Sequence, residues 1–109
     1  MRRSVTLLNE SRGDGSTLHL NATLARDGEL RITGHDLGPV TRPVSPDGEY
    51  EYFYTIQEHD IPALVTALGG APGDDILVVL EDRWTGRQSY GLDTAIRQSG
   101  VPFSFQSYS

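Results

Sequence analysis

Residues 49–70 read EYEYFYTIQEHDIPALVTALGG, and the spacing of the apolar residues changes within this stretch. In the first half, every second residue lies on the same face of a strand, and the residues on that face are Tyr50, Tyr52, Tyr54 and Ile56. In the second half, the apolar residues have the helical spacing i, i+3, i+4, i+7, namely Ile61, Leu64, Val65 and Leu68. The stretch therefore predicts a strand followed directly by a helix.

Residues at both ends of this helix are typical of helix boundaries. Asp60 is a suitable N-cap, and Pro62 falls in the first turn, where its missing N–H costs nothing. Gly69 can adopt the left-handed conformation that ends a helix. We therefore expect the helix to begin after Asp60 and to end near Gly69.

A second and a third helix are predicted further along the chain. Asp74 and Asp75 precede the segment 76–84, whose run of five apolar residues fits either a helix or a buried strand. The two acids in front and the continuation through charged residues favour a helix. Apolar residues within 92–96 indicate a third short helix that ends at Gly100.

The rest of the chain predicts strands, with alternating or short apolar segments at residues 5–9, 17–25, from 30 onwards, and 101–105. The pair Asp27-Gly28 predicts a tight hairpin with a type I′ turn, which needs positive φ at both central residues. Residues 38–48 are rich in proline and predict a long loop. Asp47 then belongs to the Pro-Asp-Gly turn that ends this loop.

The predicted order of elements is β-β-β-β-α-α-α-β. This order is typical of an α+β fold with two layers, in which a mainly antiparallel sheet carries about three helices on one face. The sheet would contain the four N-terminal strands and a C-terminal strand. With 109 residues and no linker-like segment, we expect residues 1–109 to form a single domain.

The charge of the chain is concentrated in one region. Residues 47–82 contain nine carboxylates and no Arg or Lys, although the net charge of the whole chain is only −6. Four of the nine have local structural explanations in turns and at helix starts, namely Asp47, Asp60, Asp74 and Asp75. The remaining five are Glu49, Glu51, Glu58, Glu81 and Asp82.

These acids and the aromatic residues of the predicted fourth strand form the main functional hypothesis. Tyrosine is enriched in protein interfaces, and a one-sided negative field attracts basic partners. We therefore expect a non-enzymatic protein-binding module, such as an immunity or antitoxin-like protein that binds a basic protein. The predicted partner-binding residues are Glu49, Tyr50, Glu51, Tyr52, Phe53, Tyr54, Glu58, Glu81 and Asp82.

Several other functional classes have no support in the sequence. The chain contains no Cys, and its three His residues lack the spacing of a metal site. Nucleophile-elbow and phosphate-binding motifs are absent, so we predict no catalytic residue, metal or cofactor. The acidic balance argues against nucleic-acid binding. The longest apolar run is Ile76–Leu80, and the N-terminus lacks the apolar segment of a signal peptide, so we expect a cytoplasmic protein without membrane contact.

Two alternatives remain open. The protein could be a small enzyme or ligand-binding protein with a pocket between sheet and helices, for which the candidate residues are His35, Asp36, Glu58 and His59. It could also be a structural protein that self-assembles through an exposed edge strand at residues 101–106. Accordingly, both a monomer and a homodimer are compatible with the sequence.

Two segments of the chain resemble a known group of proteins. The aromatic strand followed by Asp-Ile-Pro-Ala-Leu (residues 60–64), and the tail Gly-Val-Pro-Phe (residues 100–103), are similar to a widespread group of small acidic bacterial hypothetical proteins. Both motifs are structural, since they comprise a cap, a helix and a core strand. The group has no assigned function, so the resemblance implies no functional residue.

Overall fold

The computed structural model describes residues 3–41 and 48–108. Its five strands are β1 (Arg3–Ser11), β2 (Thr17–Leu24), β3 (Leu30–Leu37), β4 (Glu49–Ile56) and β5 (Ser104–Tyr108). The helices are α1 (Ile61–Ala67), α2 (Ile76–Arg83) and α3 (Leu92–Gln98), with short 3₁₀ segments at Pro39–Thr41, Glu58–Asp60 and Gly86–Gly91. The strands form one antiparallel sheet in the order β1-β2-β3-β4-β5, which confirms the predicted α+β fold.

The β2–β3 hairpin is present, but its turn differs from the predicted type I′ turn. Gly28 has a φ of 85°, whereas Asp27 does not have a positive φ. The Gly28 N–H donates to the Ala25 carbonyl (3.0 Å), and the Ala25 N–H donates to the Glu29 carbonyl (2.9 Å). This is a three-residue loop in which a glycine in the left-handed region follows a tight turn. The Asp27 carboxylate accepts the Glu29 N–H at 2.9 Å, so its side chain stabilises this loop directly.

The helix boundaries agree with the sequence in most details. The Asp75 carboxylate caps α2 by accepting the Leu77 N–H at 2.9 Å, and the segment after it is a helix rather than a strand. Gly69 has a φ of 99° just beyond α1. Asp60 precedes α1 but makes no capping hydrogen bond. The reason is that the 3₁₀ segment before α1 already gives Asp60 a helical backbone, and its carboxylate instead lies 3.4 Å from His59.

The last strand begins later than the sequence predicts. Val101 is buried in the core ahead of the strand, and β5 starts only at Ser104. The strand lies beside β4 at the edge of the sheet, so the edge is residues 104–108 rather than 101–106. The predicted turn at Asp47 lies outside the described residues.

The core lies between one face of the sheet and the three helices. The largest side chains in it that are almost fully buried belong to Leu7, Leu30, Ile32, Ile56, Leu64, Leu77, Leu80, Leu92 and Ile96. The Trp84 Nε1–H donates to the Leu68 carbonyl at 2.9 Å, which ties the end of α2 to the end of α1. In the part of the chain that the structure describes, no helix has the length and apolar character needed to cross a bilayer.

The opposite face of the sheet, which we call the open face, carries mostly polar side chains. Along β2 and β3 these are Thr17, His19, Asn21, Thr23, Arg31, Thr33 and His35. None of them is buried, in contrast to the alternating residues that face the helices. The sheet therefore has one apolar and one polar face, as is common in antiparallel sheets.

We expect Ile32→Ala to lower the free energy of unfolding by about 2–5 kcal/mol, because the side chain is 1% exposed in the centre of the sheet. Asn21→Ala, on the open face of the neighbouring strand, should change it by less than about 0.5 kcal/mol. Urea denaturation followed by tryptophan fluorescence measures both. Equal effects of the two substitutions would contradict the assignment of the faces.

Candidate functional site

The predicted partner-binding residues are distributed over three parts of the structure. On β4, the tyrosines face the helices, while Glu49, Glu51 and Phe53 lie on the open face. Glu58 lies in the 3₁₀ segment before α1, and two further acids, Glu81 and Asp82, are exposed on α2. The strand thus separates its acids from its tyrosines, and the nine residues do not share one surface.

The residues of the open face form a small cluster of their own. His35 Nε2 lies 3.1 Å from the Glu49 carboxylate, and both side chains are partly exposed. The Phe53 ring packs against Tyr108, with ring centroids 6.0 Å apart, and against Arg31, whose guanidinium carbon lies 5.0 Å from the ring centroid. Phe53 is therefore half-buried by its neighbours in the sheet.

On the helix-facing side, Tyr52 lies across Gly34 of the neighbouring strand. The two residues are directly opposite in the β3–β4 register, and a methyl group at position 34 would overlap with Cζ of Tyr52. The ring also meets Tyr54 edge-on at 6.5 Å and Tyr50 at 5.3 Å. Gly34 consequently provides the space in which the ring of Tyr52 lies against the sheet.

A cavity of about 190 Å³ lies between this part of the sheet and the segment that contains α3. Its polar lining includes Asp36, Tyr52, Tyr54, Tyr90 and Asp93. Its apolar lining comes from the sheet and from α3, namely Leu8, Leu18, Leu20, Ile32, Leu92 and Ile96. An aromatic groove lined by Tyr50, Tyr52, Tyr54, Asp93, Arg97 and Phe105 shares three residues with the cavity.

Two ion pairs flank the cavity. Arg97 Nε lies 2.9 Å from the Asp93 carboxylate, and Arg97 Nη2 donates to the Tyr54 hydroxyl at 3.3 Å. On the other side, Arg12 Nε lies 2.7 Å from the Glu10 carboxylate, which also accepts a hydrogen bond from the Tyr90 hydroxyl. Both of these arginines are therefore already neutralised by carboxylates of the chain.

Asp36 is different, because its carboxylate has neither an ion pair nor a hydrogen bond within residues 3–41 and 48–108. It is half-buried at the cavity, and this burial raises its pKa above the ordinary aspartate value. The charges of His35, Arg12 and His19 oppose the shift without removing it.

Tyr52 is affected by the same surroundings. Burial, together with the charges of Asp36 and Asp93, raises the pKa of its hydroxyl to about 12. The hydroxyl consequently stays protonated at neutral pH and can donate a hydrogen bond.

The residues named for a possible enzyme site do not come together. Asp36 lines the cavity, but its neighbour His35 lies on the open face. His59 is exposed in the 3₁₀ segment before α1, and the Glu58 side chain lies over Gly28 at the far end of β3. Within the described ranges, no group of three or more His, Asp or Glu side chains could hold a metal ion.

Sequence reasoning missed Tyr90, Asp93 and Arg97. The spacing of Asp93 and Arg97 is the i, i+4 pattern of a helical ion pair, which is visible in the sequence. However, nothing in the local sequence places this pair beside β4.

Comparisons with protein-family models, curated proteins and solved structures found no match.

We expect Asp36→Asn to stabilise the protein at pH 7. A carboxyl with a raised pKa in the folded state costs folding free energy as the pH rises from about 3.9, its unfolded value, through the folded pKa. The uncharged amide avoids this cost, so the melting temperature should rise at pH 7. This gain should shrink as the pH falls below about 4.

Thermal melts of the wild type, Asp36→Asn and the control Asp82→Asn, at several pH values, measure this effect. Asp82 is exposed on α2, so its substitution should change stability little. A lower melting temperature of Asp36→Asn at pH 7 would show that the Asp36 carboxylate is stabilised in the fold.

Proposed function

We propose that the protein is a non-enzymatic binding module for a basic protein, of the immunity or antitoxin type. The observation that carries this proposal is the distribution of ion pairs. Three arginines pair with acids outside the region 47–82, at Glu10, Glu29 and Asp93. Among the described residues, the only arginine paired with an acid of that region is Arg3, which lies 2.6 Å from Asp75.

The acids of the region therefore keep most of their charge exposed to solvent. Glu51, Glu58, Glu81 and Asp82 are exposed, and the described residues provide no ion pair to any of them. A concentration of uncompensated charge raises the association rate of an oppositely charged partner and disfavours acidic competitors. The attraction weakens as salt is added, because exposed charges are screened.

The open face of β4 provides a contact surface within this field. Phe53 is an aromatic group held in place by Arg31 and Tyr108, and it lies between Glu51 and Thr55 on the strand. An aromatic residue with acids beside it is suited to contact a basic surface that also carries apolar groups. We place the first contact of the partner on this cluster, which lies on the opposite face of the strand from Tyr50, Tyr52 and Tyr54.

We expect Glu49→Gln with Glu51→Gln to slow the association with a basic partner by about 3–10-fold and to reduce its salt dependence. The matched control is Thr6→Lys with Asn21→Lys, which changes the net charge equally at a pair of opposed residues on β1 and β2. The partner is first captured from native lysate at low salt. Surface plasmon resonance at two or more ionic strengths then measures the rates.

Equal slowing in the two double variants would indicate that only the net charge matters. Unchanged rates in both would remove the support for a charge-guided partner.

The β5 edge favours self-association as a second candidate. All five residues of β5 are exposed, including Phe105 and Tyr108, at 38% and 58% of their full accessible area. The strand pairs with β4 on one side and lies at the end of the sheet on the other. An exposed edge with aromatic residues can pair with the same strand of a second copy.

Light scattering coupled to size-exclusion chromatography tests this candidate. If β5 pairs between copies, the mass should be that of a dimer, and Phe105→Lys with Tyr108→Lys should return it to about 12.0 kDa. A mass of one chain at all concentrations used would remove this candidate.

A further inference from the structure

The charges around the cavity do not balance. Asp93 is paired with Arg97, and Glu10 is paired with Arg12, so each carboxylate has one guanidinium within 3 Å. Asp36 makes no ion pair and no hydrogen bond among the described residues, although the charges of His35, Arg12 and His19 act on it from a greater distance. A ligand that carries one positive charge would complete the balance.

The walls of the cavity are suited to a cation that has an apolar part. Tyr52, Tyr54 and Tyr90 line the same cavity as Asp36, while Leu20 and other aliphatic side chains form the remaining wall. Aromatic rings attract organic cations through their negative faces, and this attraction is strongest where water is displaced. Aliphatic groups in the same cavity favour an alkyl chain attached to the charged group.

The chain itself shows that this aromatic cluster accommodates a cation. The guanidinium carbon of Arg97 lies 5.6 Å from the ring centroid of Tyr54, 5.8 Å from that of Phe103 and 5.1 Å from that of Phe105. Asp93 supplies the counter-charge. The cavity around Asp36 likewise combines aromatic side chains, in this case Tyr52, Tyr54 and Tyr90, with a carboxylate.

We propose that the cavity binds the head of one alkylammonium or alkylguanidinium group, with Asp36 as its counter-charge and Tyr52, Tyr54 and Tyr90 as its aromatic walls. If the proposed function holds, the cation is a lysine or arginine side chain of the basic partner, and the cavity is an anchor point on the helix-facing side of the sheet, separate from the contact cluster on the open face. The same chemistry would also accept a small free amine.

The size of the cavity agrees with such a ligand. A cavity of about 150 Å³ is large enough for benzene, which has six heavy atoms. The present cavity, at about 190 Å³, accordingly has room for the four-carbon stem and ammonium group of a lysine side chain. Tyr90 and Asp93 are exposed as well as lining the cavity, so they mark its opening to solvent.

Anions and neutral polar ligands fit this site less well. The lining contains two carboxylates, one histidine (His19) and no arginine, and the nearby Arg12 and Arg97 are held by carboxylates of their own. An anion would therefore meet the carboxylates of Asp36 and Asp93 at close range, with no free arginine in the lining to pair with it. A neutral ligand would desolvate the Asp36 carboxylate without supplying a counter-charge, which is unfavourable.

The test is a titration of the ¹⁵N-labelled protein with n-butylammonium chloride, followed by amide chemical shifts. We expect saturable shifts around the cavity, at Leu20, Ile32 and Tyr52, with a dissociation constant on the order of 1 mM. The neutral isostere n-butanol should bind at least ~10-fold more weakly, because it lacks the charge that pairs with Asp36.

Two matched variants separate binding from folding. Asp36→Asn should weaken the binding of n-butylammonium by ~10-fold or more, whereas Asp27→Asn, in the exposed β2–β3 loop, should leave it unchanged. Because Asp36→Asn is expected to be more stable than the wild type, lost binding would not result from unfolding. Shifts that are equal for n-butylammonium and n-butanol, that persist in Asp36→Asn, or that are absent would overturn the proposal.

A second titration distinguishes the source of the cation. The blocked peptides acetyl-Gly-Lys-Gly-amide and acetyl-Gly-Gln-Gly-amide are compared in the same assay. Binding of the lysine peptide alone, lost in Asp36→Asn, supports a side chain of a protein partner. Binding of n-butylammonium without the lysine peptide assigns the cavity to a free amine and overturns its role as an interface anchor.

The two proposals can also fail independently. A basic partner whose association is slowed by Glu49→Gln with Glu51→Gln but not by Asp36→Asn would support the binding module and overturn the anchor in the cavity. Conversely, n-butylammonium binding that depends on Asp36, without any salt-sensitive basic partner, would support the cation site and remove the protein-binding function.

Discussion

Tyr52 lies across Gly34, and the shape of the helix-facing side of the sheet depends on this contact. Any side chain at position 34 would displace the ring, because the two residues are directly opposite in adjacent strands. With the ring held against the sheet, a cavity remains between β3, β4 and α3, and Asp36 lines it two residues beyond Gly34 on the same face. Gly34 and Tyr52 thus shape the cavity, and the alternation of side chains along β3 places the Asp36 carboxylate beside it.

Much of the fold follows from patterns that act over a few residues, and these were predictable. Period two assigned the tyrosines of β4 to one face and Glu49, Glu51 and Phe53 to the other, as the structure shows. Predictions failed where one local signal fits two geometries. The pair Asp27-Gly28 is compatible with more than one type of hairpin turn. An aspartate before a helix caps that helix only if the backbone of the aspartate is extended, and the backbone of Asp60 is helical.

The candidate site was less predictable, since it depends on residues far apart in the chain. Asp36 and Asp93 become neighbours only through the packing of α3 on the sheet, and no local period encodes that packing. Once assembled, the site combines two features that each have a physical cost: a half-buried carboxylate without an ion pair among the described residues, and an apolar cavity beside it. Both costs would be offset by a ligand with one positive charge and an alkyl chain. The exposed acids on the outside would attract such a ligand, or a protein that carries one, before it reaches the cavity.

The most direct test of this account is the pKa of the Asp36 carboxyl, measured by ¹³C NMR with and without n-butylammonium. We expect a pKa above the ordinary aspartate value in the free protein, because the carboxylate is half-buried and has no ion pair among the described residues. We also expect n-butylammonium to lower this pKa, since the cation binds the ionised form preferentially. An ordinary pKa that does not respond to the amine would contradict the central claim that the half-buried Asp36 carboxylate is the counter-charge of a cationic ligand.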